Sequence, residues 1–337
     1  MTNPVLTEAI DRLAGGRDLA ADEAARVLRE IMDGGASEAE TAAFLIALRT
    51  KGETVHEIAG LAATMRALAL PVDAGDDLLD TAGTGGGRPT FNVSTTAALI
   101  AAGAGCRVAK HGNRSATSQC GSADVLEALG ARIDLEPDGV AHCIDSVGFG
   151  FMFAPKHHAA TRHVVPVRRA LGVRTIFNFL GPLTNPAGAA NQVIGLSDGG
   201  KLETIAAALA ELGSARALVV SSADGLDEFS VSGTTRVVEL KDGRLSSYDV
   251  SPEQAGIEPQ RDGAVGAGTP AENASVLRGV LEGSSGAARE LAVLNAAAAI
   301  YVAGRADSIA AGVERARESI DSGAALRVLD GYVEHTR

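Results

Sequence analysis

Tryptophan is absent from this 337-residue chain, and aromatic residues make up only 3% of it. A core must therefore be assembled from Ala, Leu, Val and Ile, which a hydrophobic content of 46% supplies. Basic residues are outnumbered, 30 Lys and Arg against 42 Asp and Glu, for a formal charge of −12. No basic field covers the molecule, which argues against nucleic acid or a membrane surface as partner; an anionic ligand would need local cations and backbone amides. Cysteine is scarce: Cys106, Cys120 and Cys143 are odd in number and lack CxxC spacing, so neither a disulfide framework nor a structural zinc site is indicated. Long apolar runs are missing too. The stretch 291-LAVLNAAAAIYVAG-304 is too short to span a bilayer and reads as a buried helix. The opening MTNPVLTEAIDRLAGG has no basic region followed by an apolar core, so no secretion signal is read and a soluble, cytoplasmic protein is expected.

The length suits about two domains of roughly 100–200 residues. Residues 1–72 read as a small helical domain of about four helices. Ser37 with Glu40, and Thr54 with Glu57, have the spacing of capping boxes, and Phe44, Leu45 and Leu48 share one helical face. The pattern changes at Pro71. DDLLDTAG reads as a strand, Ser94 or Thr95 as the cap of the helix TTAALIAAGAG, CRVAK as a second strand and ADVLEALG as a helix. ARALVVSSA and a hairpin turning at Asp242-Gly243 are later strands, and helices recur at 202–212, about 270–282, 286–303 and 306–321. Residues 73–337 are thus expected to form a larger α/β domain with a mainly parallel central sheet. The alternation breaks near 165–190, and this segment is expected to return to the helical domain.

Two loops follow predicted strands, where open α/β sheets bind ligands. The first, 81-TAGTGGGRPTFNVSTT-96, places four glycines in five positions before Asn92, Ser94, Thr95 and Thr96. Bare glycines bring backbone amides within reach of phosphate oxygens, and the following helix start favours anions. A tight strand-to-helix turn is the other reading, but the hydroxyl-rich run favours a phosphate cradle. The loop lacks the G-K-[ST] ending of a P-loop, and Arg88 stands where GxGxxG has its last glycine, which disfavours a dinucleotide site. The second loop, 110-KHGNRSATSQCGS-122, gathers Lys110, His111 and Arg114 with Asn113, Ser115, Thr117, Ser118 and Ser122, potential cations and donors suited to a polyanion. His111 alone could equally be a hydrogen-bonded structural histidine.

The acidic counterpart is 224-DGLDEFS-230. Asp227 and Glu228 at a strand end can hold Mg²⁺ through oxygens, although an adjacent acid pair alone is more often a solvated turn. In 162-RHVVPVRRALG-172, Arg168 and Arg169 would point about 100° apart on a helix, so at most one is expected to face a cleft and clamp a carboxylate.

Together GTGG…TFNVST, KHGNRS…GSADVLEALG, HVVPVRRALGVRTIFNFLGPLTNP and DGLDE resemble the anthranilate phosphoribosyltransferase family over about residues 5–330. The resemblance implies a helical domain joined to an α/β domain of the nucleoside phosphorylase and class II phosphoribosyltransferase kind, with homodimers formed through the helical part. It implies Mg²⁺-dependent transfer of phosphoribose from phosphoribosyl pyrophosphate (PRPP) to anthranilate, a step of tryptophan biosynthesis. By motif, Gly83, Gly86, Thr90, Asn92, Ser94, Thr95, Lys110, Ser118 and Ser122 match positions that hold PRPP; Gly87, Gly112, Arg114 and Ser115 complete the substrate-binding set. Ser94, Asp227 and Glu228 match the metal site. Gly83, Asn113 and Arg168 match anthranilate contacts, with His111 nearby. Lys110, Asn113 and Arg168 are the residues expected to carry catalysis.

One departure stands out. The family usually reads GTGGD, whereas this chain has Gly87 and a loop one residue shorter before Asn92. Loss of a hydrogen bond to a charged group would weaken donor binding about ten- to a hundredfold, so Gly87→Asp is expected to lower the donor KM if its side chain points inward. Two rival readings are a pyrimidine nucleoside phosphorylase, which leaves Asp227 and Glu228 without a use, and a nucleic-acid-binding paralogue, which the charge opposes.

Overall fold

The structure is a computed structural model that describes residues 2–115, 119–261 and 263–337. Four helices open the chain: α1 (Pro4–Ala14), α2 (Ala21–Met32), α3 (Glu38–Lys51) and α4 (Val55–Leu68). The capping boxes form as their spacing predicts. Ser37 and Thr54 accept the amides of Glu40 and Glu57 at 3.2 and 3.3 Å, and those carboxylates accept the Ser37 and Thr54 amides at 2.9 and 2.8 Å.

The chain then alternates: β1 (Leu78–Gly83), α5 (Val93–Gly103), β2 (Arg107–Gly112), α6 (Ser122–Ala128), α7 (Pro137–Val147) and β3 (Phe149–Phe153). Short helices follow, α8 (Ala154–His157), α9 (Val165–Leu171) and α10 (Phe177–Leu183), before β4 (Asn191–Gly195), α11 (Leu202–Glu211) and β5 (Arg216–Ser222). The hairpin of β6 (Thr235–Lys241) and β7 (Arg244–Val250) turns at Asp242-Gly243, both at positive φ, and α12 (Pro270–Leu281), α13 (Ala287–Val302), α14 (Ile309–Asp321) and α15 (Ala324–His335) close the chain.

The seven strands run in the order β3-β2-β1-β4-β5-β6-β7, parallel from β3 to β5 and antiparallel beyond. From β1 the chain moves outward through β2 and β3, then returns to place β4 on the other side of β1. Such a reversal opens a crevice beyond the carboxyl ends of the strands. Two cores flank the sheet. On one face Ile194, Val219 and Val238 pack with α1–α4 and α11, and Val164, Val167, Phe177 and Leu180 join that core. On the other face α5, α7 and α12–α15 build a core rich in alanine and small aliphatics.

Three local expectations need correction. Neither Ser94 nor Thr95 caps α5, which begins at Val93 with Asn92 in the capping position and no side-chain cap. Strands β3 and β4 escape the sequence reading because FGFMF and NQVIG are short and buried on both faces, all but Phe153 at the end of β3, so neither alternates. Helices α7 and α15 are also additional to those read. Among the described residues no helix is long and apolar enough to cross a membrane.

Candidate active site

The loops after β1, β2 and β5 meet over a cavity of about 1120 Å³ at the carboxyl edge of the sheet. Gly83, Gly86, Gly87, Thr90, Asn92 and Ser94 line it from the first loop, and Lys110 to Ser115 with Ser122 from the second. Asp227 and Glu228 line it from the third, and Arg168 and Arg174 from the segment that precedes β4.

Asp227 is packed into the glycine loop. Its carboxylate accepts the Gly85 amide at 2.8 Å, and a Cβ at Gly83 would fall 2.7 Å from Oδ2. A Cβ at Gly195, paired with Gly83 across β1 and β4, would overlap the Asp227 carbonyl oxygen at 1.5 Å. The loops are further tied by the Arg88 amide donating to Gly225 at 2.7 Å and by the Arg88–Asp224 ion pair at 2.9 Å. Gly87 lies inside this contact: a Cβ there would stand 2.8 Å from the Gly225 carbonyl oxygen and 2.9 Å from Asp227 Oδ1. This geometry opposes the expectation that Asp at 87 would tighten donor binding, because the space is filled by backbone and by the Asp227 carboxylate. The glycines serve the seating of Asp227 as well as any approach by phosphate.

Burial pushes the Asp227 carboxyl upward, and burial together with the Asp227 charge pushes Glu228 up to about 8. Thr90 donates to Glu228 at 3.3 Å. Among the described residues no group of three His, Cys, Asp or Glu is arranged to hold a metal ion. The pair could hold one only with further oxygens, from a hydroxyl such as Ser94 or from a ligand.

Lys110 is 2% exposed. Its ammonium donates to the Thr81 carbonyl and lies 3.3 Å from the Ser94 hydroxyl. Burial lowers its pKa to about 8, against the opposing pull of Asp80 and Glu228. Asp80, missed in the sequence, is 1% exposed and raised to about 6 by the same desolvation. It accepts the His111 amide at 3.2 Å and Asn185 Nδ2 at 2.8 Å, while Asn185 also donates to the Ala109 carbonyl at 2.8 Å. An acid inside the apolar strand LLDTAG was the available signal.

The second loop departs from the sequence reading in its charges. His111 is buried with Nδ1 3.2 Å from the Gly181 carbonyl, and burial with His158 nearby lowers its pKa to about 3, so it is not a cation at neutral pH. Arg114 is paired with Asp124 at 2.7 Å and with Glu127 at 2.9 Å, which leaves Lys110 as the loop's principal unshared positive charge among described residues. The Asn113 carbonyl accepts from Ser122 at 3.2 Å, closing the loop onto α6. A Cβ at Gly112 would meet the Ser122 hydroxyl at 2.3 Å and the buried Phe151 ring at 2.6 Å, which favours glycine there. Thr117 and Ser118 lie outside the described residues. Thr95 does not reach the cavity: it is fully buried, since the next residue after cavity-facing Ser94 turns about 100° away.

Of the arginine pair, Arg168 lines the cavity and stacks 5.4 Å above the Phe177 ring, whereas Arg169 does not line it. Arg174, also missed, donates to the Gly85 carbonyl at 2.6 Å and to Ser197 at 2.8 Å, fastening the first loop from the opposite wall.

Comparison with known proteins agrees with this architecture. Residues 75–326 match the α/β domain of a glycosyl transferase family, and residues 7–69 match that family's helical bundle domain. The anthranilate phosphoribosyltransferase of Rubrobacter xylanophilus is 52% identical over 336 residues, 99% of this chain and 98% of the relative. The chain belongs to the anthranilate phosphoribosyltransferase family. The family member of Moorella thermoacetica is 48% identical over 98% of both chains. The crystal structure from Thermus thermophilus superposes with a TM-score of 0.93 at 44% identity, covering 98% of this chain and 99% of that one. The Saccharomyces cerevisiae family member, solved in complex with PRPP and Mg, gives 0.90 at 28% identity over 99% and 98% of the two chains. Membership in this family favours neither the nucleoside phosphorylase nor the nucleic-acid-binding reading.

Proposed function

We propose that this chain transfers the phosphoribosyl group of PRPP to the amine of anthranilate, giving N-(5-phosphoribosyl)anthranilate and pyrophosphate in tryptophan biosynthesis. The observation that carries the reading is one cavity lined by a buried lysine, the glycine-rich loop after β1, the polar loop after β2, a carboxylate pair and an inward arginine. Breaking the bond from ribose C1 to pyrophosphate leaves negative charge on the leaving group and positive charge on the sugar. Lys110 and the amides of Gly86, Gly87 and Thr90 would stabilise the leaving group, those of Gly85 and Arg88 being given to Asp227 and the Gly225 carbonyl. Asn113 and Arg168 orient anthranilate, with the Arg168 guanidinium as the carboxylate clamp, and holding amine and C1 together supplies much of the acceleration. Burial disfavours a charged His111, and no residue is assigned the role of taking the amine proton.

The donor set fits Mg²⁺. Asp227 and Glu228 are hard oxygen ligands whose charged forms burial disfavours and a divalent cation would restore, and Mg²⁺ is commonly held by one or two carboxylates with substrate phosphates. Bound there, with Ser94 as a further oxygen, it would neutralise charge on the pyrophosphate. The family resemblance further supports a homodimer formed through the helical region, in the cytoplasm; light scattering should read twice the chain mass. The activity is tested by anthranilate fluorescence, which should fall when PRPP and Mg²⁺ are added together. No loss under saturating substrates overturns the proposal, as would phosphate-dependent cleavage of uridine or thymidine.

A further inference from the structure

Helix α13 buries every residue from Leu291 to Val302, and almost all are apolar. Asn295 is an exception. It is 6% exposed, and a carboxamide taken out of water is costly unless its hydrogen bonds are remade. Here they are. Oδ1 accepts the Phe229 amide at 3.0 Å, and Nδ2 donates to the Phe229 carbonyl at 2.9 Å and to the Leu291 carbonyl at 2.9 Å. The side chain thus pairs with both backbone groups of one residue, as a neighbouring strand would. The preceding carbonyl, that of Glu228, accepts from the Ser222 hydroxyl, itself 3.1 Å from Thr235. The main chain is held on both sides of the Glu228–Phe229 peptide, while Phe229 is fully buried.

We propose that Asn295 is the positioning residue that sets the Asp227–Glu228 pair, reaching from a C-terminal helix through the backbone of Phe229. No other loop at the site exchanges two hydrogen bonds with one α13 side chain among the described residues, and Asn295 itself borders the cavity with Glu228. The inference rests on the reading of that pair as the metal and pyrophosphate site. It assigns Asn295 no contact with substrate. Its effect should appear in donor and metal binding rather than in anthranilate binding.

The test compares wild type with Asn295→Leu, Asn295→Asp and the control Leu294→Ala, a buried neighbour on the same helix. Initial rates are taken against PRPP, Mg²⁺ and anthranilate, with melting temperatures alongside. Asn295→Leu should raise the donor KM and the Mg²⁺ half-saturation up to about tenfold, the upper end of what one hydrogen bond between neutral groups is worth, with anthranilate KM within twofold. Asn295→Asp keeps the acceptor for the Phe229 amide but turns an acceptor toward the Phe229 and Leu291 carbonyls, and should show the same split. It carries the test if the leucine variant does not fold. Leu294→Ala should lower the melting temperature and leave the donor and Mg²⁺ constants unchanged. Wild-type donor and Mg²⁺ constants in the Asn295 variants, whatever their melting temperatures, overturn the proposal while the activity stands. An inactive wild type overturns the proposed function, and this inference with it.

Discussion

Replacing Gly87 by alanine and by aspartate separates shape from charge at the point where the chain leaves its family's usual motif. Alanine adds a Cβ 2.8 Å from the Gly225 carbonyl oxygen, 2.9 Å from Asp227 Oδ1 and 3.1 Å from the Asp227 amide, all inside the 3.4–4 Å of ordinary contact. Two of those atoms are backbone, so the 224–228 loop must shift. Its hydrogen bond from the Arg88 amide to Gly225, 2.7 Å long, shifts with it. Overpacking of this kind costs about 1–3 kcal/mol, or roughly five- to a hundredfold in a binding constant. Aspartate adds a carboxylate beside Asp227; two like charges about 4 Å apart at an effective dielectric near 20 repel by about 4 kcal/mol before relaxation. The donor KM should therefore rise about tenfold for Gly87→Ala and about a hundredfold for Gly87→Asp. Initial rates of anthranilate fluorescence loss against PRPP, at saturating Mg²⁺ and anthranilate, give both constants, and a melting curve shows that each variant is folded. A donor KM for Gly87→Asp at or below the wild-type value would refute the reasoning, since the loop would then have room for an inward acid.

Other residues give sharper single readings. Lys110→Met should lower kcat by about 10²–10³-fold, the cost of removing one preorganised donor from developing charge; stopped-flow single turnovers would read it, and a loss under fivefold would place Lys110 outside the chemistry. Arg168→Ala should raise the anthranilate KM about ten- to a hundredfold with the donor KM within twofold, and the reverse split would mean that Arg168 serves the donor. The carboxylate pair sets a pH dependence of stability. Glu228 is raised from 4.5 to about 8 on folding, so its protonated form favours the folded state below pH 4.5 and that contribution is lost as pH rises through 8. Melting temperature without Mg²⁺ should fall over this window, less steeply in Glu228→Gln, and Mg²⁺ should raise it more at pH 8 than at pH 6. Equal slopes in the two proteins would show that Glu228 does not hold its proton.

Much of the site was legible because its parts announce themselves in short segments. Glycines before a hydroxyl-rich helix start, Lys110 beside Asn113, and the adjacent acids Asp227 and Glu228 each signal their chemistry within a few residues, and the parallel sheet brings them to one edge. What escaped depends on contacts between distant segments. Asn295 bonds a residue 66 positions away, and Asp80 meets Asn185 across 105. Arg174 grips a carbonyl 89 positions earlier. Arg114 counts as a cation for a polyanion in its own loop, but the acids that occupy it, Asp124 and Glu127, sit on the next helix. Gly87 makes a related point: a motif shows which side chain is missing but not what fills its place. In the fold, helices with capping boxes were plain, while β3 and β4 were hidden because full burial erases alternation.

The central claim is that the loops after β1 and β2 and the acidic pair converge on one donor with anthranilate at its C1. A crystal structure with PRPP, Mg²⁺ and a non-reactive anthranilate analogue tests it most directly. It should show pyrophosphate between the first loop and Lys110, metal density on Asp227 and Glu228, and the analogue's carboxylate at Arg168. Donor bound away from Lys110, or metal absent from the acidic pair while the donor is present, would contradict it.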